Sequence, residues 1–272
     1  MPKSHYLLSL LCTVAMLAFA VPPARSQTAA PPPLEVPAGF DIALAMNALY
    51  GNYDAASGTS SSTAPTTGLD YTNFQPGQKE TVKPYFAAAN PPTSEVFLAT
   101  YAVPATGDFD CHACAPLIGA AVFVKSGDSW KVEASEKTDL IFGQYAVPGT
   151  AQLVQFGPNH AGIQLSNTDG GQGIMDTQVI LLVAWNGGFS QAWSGLVSSD
   201  DSMYCGPQTV SPCFGYKVEL KFEKGSNSEY DDLIATTSGT DLTDDTPPAL
   251  KNMAGMQHLH FVDGKYVAAD GH

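Results

Sequence analysis

The chain consists mainly of short stretches in which apolar and polar positions alternate, each closed by turn residues. In residues 216–223, four apolar side chains alternate with lysine and glutamate, the pattern of a half-buried strand. Sequences such as Asn186-Gly187-Gly188 and Val262-Asp263-Gly264-Lys265 are typical of hairpin turns. Comparable runs lie at residues 95–103, 117–125, 130–134, 151–156, 162–166, 177–185, 189–196 and 230–237. The pattern predicts an all-β fold of antiparallel hairpins or a meander, either a sandwich or a propeller-like array.

One stretch has helical periodicity instead. In residues 38–50, Phe40 and Leu44 are four residues apart, as are Ile42 and Met46, and Gly51 follows as a stop. We expect one short N-terminal helix whose apolar face packs on the sheet rather than on a partner.

Two segments have low-complexity composition, one before the predicted domain and one within it. Residues 27–37 form a proline-rich spacer, and residues 55–68 contain nothing apolar larger than alanine apart from Pro65, which predicts a flexible loop. The remainder, residues 38–272, is predicted to be a single β-rich domain with the helix at its start.

The first 26 residues have the pattern of a secretory signal peptide. Lys3 precedes an apolar run over residues 6–21, and small residues follow, with cleavage expected after Ala20 or after Ser26. No later apolar stretch is long enough to cross a membrane. We therefore predict a secreted or periplasmic protein that does not span the membrane after signal removal.

Removing this segment leaves a strongly acidic chain. Arg25 is the only arginine, so the part from Gln27 has ten lysines against 26 acidic residues, a formal charge of −16. Nucleic-acid binding depends on lysine and arginine neutralising phosphates, so we exclude a nucleic-acid partner. An unknown protein, a glycan or a cation stays open as the ligand.

Four cysteines remain after signal removal, namely Cys111, Cys114, Cys205 and Cys213. An even number in an exported chain favours two disulfides, with three pairings open. Two alternatives are thiol redox chemistry at Cys111 and Cys114, with His112 stabilising a thiolate, and a zinc site formed by the cysteines.

A second candidate site is the His258-Leu259-His260 sequence. On a strand both imidazoles project from one face, and two imidazoles bind a metal when a third ligand approaches. Asp263 and His272 are the third-ligand candidates, and two solvated surface histidines are the alternative.

Residues 224–233 (KGSNSEYDDL) have acidic and polar residues before an Asp-Leu and a strand-like run. This segment resembles the calcium loop of FG-GAP repeats, which occur in integrin-type β-propellers and in exported bacterial proteins. The resemblance implies a propeller and a bound calcium ion. Lys224, Ser226 and Ser228 stand where the family has acidic ligands.

No catalytic motif accompanies these features. A G-x-S-x-G nucleophile elbow is absent from the sequence, and no pair of carboxylates is singled out for glycosidase chemistry. We therefore predict no cofactor, with calcium or zinc as alternatives, and a non-enzymatic binding or structural module. The alternative function is a metal-binding or thiol-redox protein that uses Cys111/Cys114 with His112, or His258/His260.

Overall fold

Strands occupy most of the chain, as the alternation predicts. The computed structural model describes residues 34–67, 74–91, 93–201, 205, 212–225, 229–245 and 249–268. The predicted signal peptide lies outside the described residues, as does the spacer before residue 34. The elements are α1 (Ile42–Tyr50), β1 (Ser60–Thr63), β2 (Lys79–Asn90), β3 (Glu95–Pro104), β4 (Leu117–Ser126), β5 (Ser129–Ile141), β6 (Thr150–Gln155), β7 (Ala161–Gly171), β8 (Ile174–Trp185), β9 (Gly188–Asp200), β10 (Gly215–Glu223), β11 (Asp232–Leu242), β12 (Leu250–Asn252), β13 (Gly255–Val262) and β14 (Lys265–Ala268).

The strands form two antiparallel sheets. The first has the order β1-β2-β3-β4-β5, a simple meander. The second has the order β14-β13-β11-β10-β9-β8-β7-β6, and the short β12 pairs with β11 beside this path. The all-β fold with one short helix is confirmed.

The sheets pack face to face, which accounts for strands that are apolar on both sides. In β8, Ile180 and Leu182 pack against Phe97 and Ile118 of the first sheet, in a core between the sheets. Val179, Leu181 and Val183 point the other way, into a third cluster with Leu233, Leu259 and Phe261. The second sheet therefore curls until its C-terminal strands cover its own central strands.

Helix α1 covers the outer face of the first sheet. Its buried residues Ala45, Met46 and Leu49 pack in one cluster with Leu98 and Phe123. This agrees with the expectation that the apolar face of the helix contacts the sheet.

The helix begins later than the predicted residue 38. Gly39 has a φ of 76°, and Asp41 is extended and accepts hydrogen bonds from the backbone N–H groups of Ala43 and Leu44. Asp41 is therefore the N-cap, and the apolar Phe40 that extended the periodicity lies before the helix. The helix ends at Tyr50, and Gly51 follows as the predicted stop, with a φ of 79°.

The predicted loop at residues 55–68 also differs from the structure. Ser60–Thr63 forms β1 and pairs with Lys79–Val82 of β2. Backbone hydrogen bonds to a neighbouring strand do not require apolar side chains, so the composition of this segment concealed a sheet edge.

Within the described ranges, no helix has the length and apolar character needed to cross a membrane.

Candidate metal centre

The candidate site lies on the outer face of the curled second sheet, where β11 pairs with β13. The register places Ile234 opposite His258 and Leu233 opposite Leu259. Leu233, Leu259 and Phe261 are buried in the third core cluster, so the alternate residues Asp232, His258 and His260 share the opposite face. The burial of leucine and phenylalanine is therefore what fixes the two imidazoles in one direction.

The Asp232 carboxylate lies between the two imidazoles. Its Oδ2 is 2.8 Å from His258 Nε2, and its Oδ1 is 2.8 Å from His260 Nδ1. The two imidazole centroids are 4.9 Å apart, and the nitrogen and oxygen atoms that could ligate a metal all lie within 4.8 Å of one another. We call these three residues the Asp232 site.

Burial separates the carboxylate from its two neighbours. The Asp232 side chain is 6% exposed, against 51% for His258 and 37% for His260. Gly225 lies so close to the carboxylate that a Cβ atom there would overlap it. The oxygen ligand is thus sheltered, and the imidazoles close the site toward solvent.

The charge on Asp232 is maintained despite this burial. Burial alone would raise the pKa of Asp232, but the neighbouring His260 and His258 imidazoles outweigh it, and the pKa is lowered from its ordinary value. Glu223 of β10 lies opposite Asp232 in the register, and its charge is paired with Lys221, whose Nζ is 2.6 Å from Glu223 Oε1. The negative charge offered to a cation is therefore that of Asp232.

His260 contacts Asp232 through Nδ1, which is shielded from solvent and lies 2.8 Å from Oδ1. Ligation of a metal ion through this nitrogen requires the neutral imidazole with its proton on Nε2.

The three ligands fit a transition-metal ion better than calcium. Two imidazoles and one carboxylate form a common ligand set for zinc and related ions, whereas calcium takes six to eight oxygen ligands. Bonds of about 2.0–2.1 Å at tetrahedral angles place neighbouring ligand atoms roughly 3.3 Å apart. The two nitrogen–oxygen contacts of 2.8 Å are shorter than this spacing, so the exposed imidazoles must move outward to admit an ion.

The sequence identified two of the three residues. His258 and His260 share a face as predicted, but the carboxylate between them is Asp232, and Asp263 lies in the β13–β14 turn with a φ of 49° and is not part of the group. His272 lies outside the described residues. Asp232, Ile234 and Thr236 occupy alternate positions, so the sequence places Asp232 on one face of a strand. Predicting its contact with the histidines also requires knowing that β11 pairs with β13.

The cysteines form two disulfides, Cys111 with Cys114 and Cys205 with Cys213. This confirms the prediction of two bridges and resolves the pairing as one bridge within each pair. Because all four sulfur atoms are bound in disulfides, none of them offers a thiolate to a zinc ion. This includes Cys205 and Cys213, which form a second group of candidate ligand atoms with Asp201. The His112 imidazole contacts Asp169, with Nε2 2.6 Å from Oδ1.

The structure also contains a polar depression of about 400 Å³ between β7, β8 and β9. Asn167, Asp169, Asp176 and Gln178 line it, together with the apolar Ile174 and Leu196. Its lining residues offer hydrogen-bond acceptors and amides but no nucleophile, metal-binding imidazole or cation. These groups can form hydrogen bonds to a polar ligand, and the depression is a weaker candidate than the Asp232 site.

In comparisons with known proteins, no family model matches the chain, and no significant match is found among curated proteins or solved structures.

Proposed function

We propose that the protein is an exported, non-enzymatic binding module that holds a divalent transition-metal ion at Asp232, His258 and His260. The observation that carries the proposal is the convergence of two imidazole nitrogens and a sheltered carboxylate within 4.8 Å on one face of the sheet. Three protein ligands leave at least one position of a four-coordinate ion open to a further ligand.

The binding experiment uses untagged protein, stripped of metal with a chelator and titrated with Zn²⁺, Ni²⁺ and Cu²⁺ by calorimetry. We expect one ion per chain, and a loss of affinity of tenfold or more in His258→Ala, His260→Ala and Asp232→Asn. His112→Ala is the matched control, because His112 also contacts an aspartate but lies outside the Asp232 site. Wild-type protein that binds no ion stoichiometrically, or three variants that bind like wild type, would overturn the proposal.

Export is a separate part of the proposal, supported by the predicted signal peptide and by the two disulfides, which persist in oxidising compartments. The intact mass of the protein recovered from the producing cells, alkylated without reductant, tests both features. We expect a chain that begins at Val21 or Gln27 and carries no alkyl group. A full-length chain, or one that gains four alkyl groups, would contradict export to an oxidising compartment.

The resemblance of residues 224–233 to FG-GAP repeats, and calcium at that loop, stay predictions, and residues 226–228 lie outside the described residues. Thiol redox chemistry at Cys111 and Cys114 also stays a prediction. For a glycan or a protein ligand, the polar depression is the most specific supporting feature among the described residues.

A further inference from the structure

A third metal-binding side chain lies on the same strand face as the two histidines. Met256, His258 and His260 occupy alternate positions of β13, and the register places Met256 opposite Thr236 and His258 opposite Ile234. Alternate residues of a strand share a face, with Cα atoms about 7 Å apart. The sequence therefore aligns a thioether and two imidazoles along one exposed row.

Met256 is free to move within this row. Its side chain is 71% exposed, so packing does not hold it in the core. Methionine is unbranched and has three rotatable side-chain bonds, which allows the sulfur to swing toward a neighbouring imidazole. The thioether is thus available next to His258 without any change in the backbone.

A thioether changes which metal the site prefers. The thioether of methionine is a soft ligand that favours Cu(I), whereas Zn²⁺ sites are built from thiolate, imidazole and carboxylate. For divalent ions, Cu²⁺ has the highest affinity in the first-row series for nitrogen and oxygen ligands such as those of the Asp232 site.

We propose that this face of the sheet is a copper site, in which Met256 with His258 binds Cu(I), and Asp232 with His258 and His260 binds Cu(II). The two ligand sets share His258, so either oxidation state is bound on this face while the other ligands differ. This proposal rests on the metal site proposed above and adds the identity of the ion and the role of Met256.

The first experiment measures Cu(I) affinity by anaerobic competition with a chromophoric Cu(I) chelator, using the untagged mature protein. We expect Met256→Leu to weaken Cu(I) binding by tenfold or more and to leave Zn²⁺ affinity within twofold of wild type. Met175→Leu is the control, because Met175 lies on β8 beside Gly170 and does not share the β13 row with the two histidines. Leucine conserves the volume of methionine, so the substitution removes the sulfur with little effect on folding.

X-ray absorption provides a second readout that does not depend on affinity. The four cysteines of the mature chain are bound in disulfides, so a sulfur ligand to Cu(I) must come from methionine. We expect a copper–sulfur contribution in wild type that is lost in Met256→Leu.

The outcomes distinguish the two proposals. Cu(I) affinity and sulfur signal unchanged by Met256→Leu, with His-dependent Zn²⁺ or Cu²⁺ binding retained, would overturn the copper proposal and leave the metal site standing. Wild-type protein that binds Zn²⁺ and Cu²⁺ but no Cu(I) would overturn it equally. Absence of any stoichiometric metal would overturn both.

Discussion

At the scale of single residues, Gly225 determines whether the Asp232 carboxylate has room. A Cβ atom at position 225 would overlap the carboxylate carbon and both oxygens. We expect Gly225→Ala to displace Asp232 and to weaken Cu²⁺ or Zn²⁺ binding by tenfold or more, with a cost of about 1–3 kcal/mol in stability. Titration calorimetry and urea unfolding measure the two effects.

The matched control is Gly255→Ala on β13. A Cβ atom there meets nothing closer than the Met253 carbonyl oxygen at 3.9 Å, an ordinary contact. Metal affinity should therefore stay within twofold of wild type. Equal affinities in the two alanine variants would show that the position of the Asp232 carboxylate does not govern binding.

Residue by residue, the sequence predicted the ligands that depend on local alternation and missed the one that depends on strand pairing. His258 and His260 are two positions apart on one strand, so their shared face follows from strand geometry. Asp232 lies 26 residues before His258, and its approach depends on the register between β11 and β13. Register is set by the burial of Leu233 and Leu259 together, which neither segment reveals alone.

At the scale of elements, the start of α1 depends on Asp41. The side chain caps the helix by accepting hydrogen bonds from the Ala43 and Leu44 N–H groups, at 2.8 and 3.1 Å. We expect Asp41→Ala to lower the free energy of unfolding by about 1 kcal/mol, since both donors lose their partner. Asp41→Asn keeps an oxygen acceptor and should cost much less. Urea denaturation compares the variants, and equal losses in both would rule out the cap as the cause.

The end of the same helix is tied to the first sheet by the Tyr50 hydroxyl. It donates a hydrogen bond to the Lys137 carbonyl oxygen at 3.1 Å and lies 2.8 Å from Thr100 Oγ1. The pKa of Tyr50 is raised from 10.0 to about 12, chiefly by burial; the Thr100 contact opposes the shift, and the Glu80 charge adds to it. The neutral phenol is therefore favoured in the folded protein.

The sign of the pH effect follows from this shift. Because the folded pKa lies above the unfolded one, the contribution of Tyr50 is fully present below about pH 10 and is lost as the pH rises through about 12. The contribution is roughly 3 kcal/mol. We expect wild type to lose more stability between pH 10 and 12 than Tyr50→Phe, which cannot ionise. Parallel losses in chemical unfolding would contradict the assignment.

Elements were predictable where alternation and turn residues agreed, as in Gly215–Glu223 and in the β13–β14 hairpin. The polar strand Ser60–Thr63 was not, because its stability comes from backbone pairing with β2 rather than from its own side chains.

At the scale of the whole molecule, strands that are buried on both faces indicate that the fold has more than one layer. Glu95–Pro104 and Leu117–Ser126 are almost continuously apolar, which requires cover on each side. The structure supplies α1 on one face and the second sheet on the other. The sequence left sandwich and propeller open, since the partner of each face lies far away along the chain.

The two disulfides allow the scaffold to be separated from the site. They close short segments, with sequence separations of 3 and 8, and chain entropy assigns roughly 2–3 kcal/mol to each. We expect the double variants Cys111→Ser/Cys114→Ser and Cys205→Ser/Cys213→Ser to lower the unfolding free energy by that amount and to bind metal like wild type, because none of these residues belongs to the Asp232 site. Denaturant unfolding and metal titration of the same samples test this. Loss of metal affinity at unchanged stability would place the cysteines in the functional site and revive the thiol hypothesis.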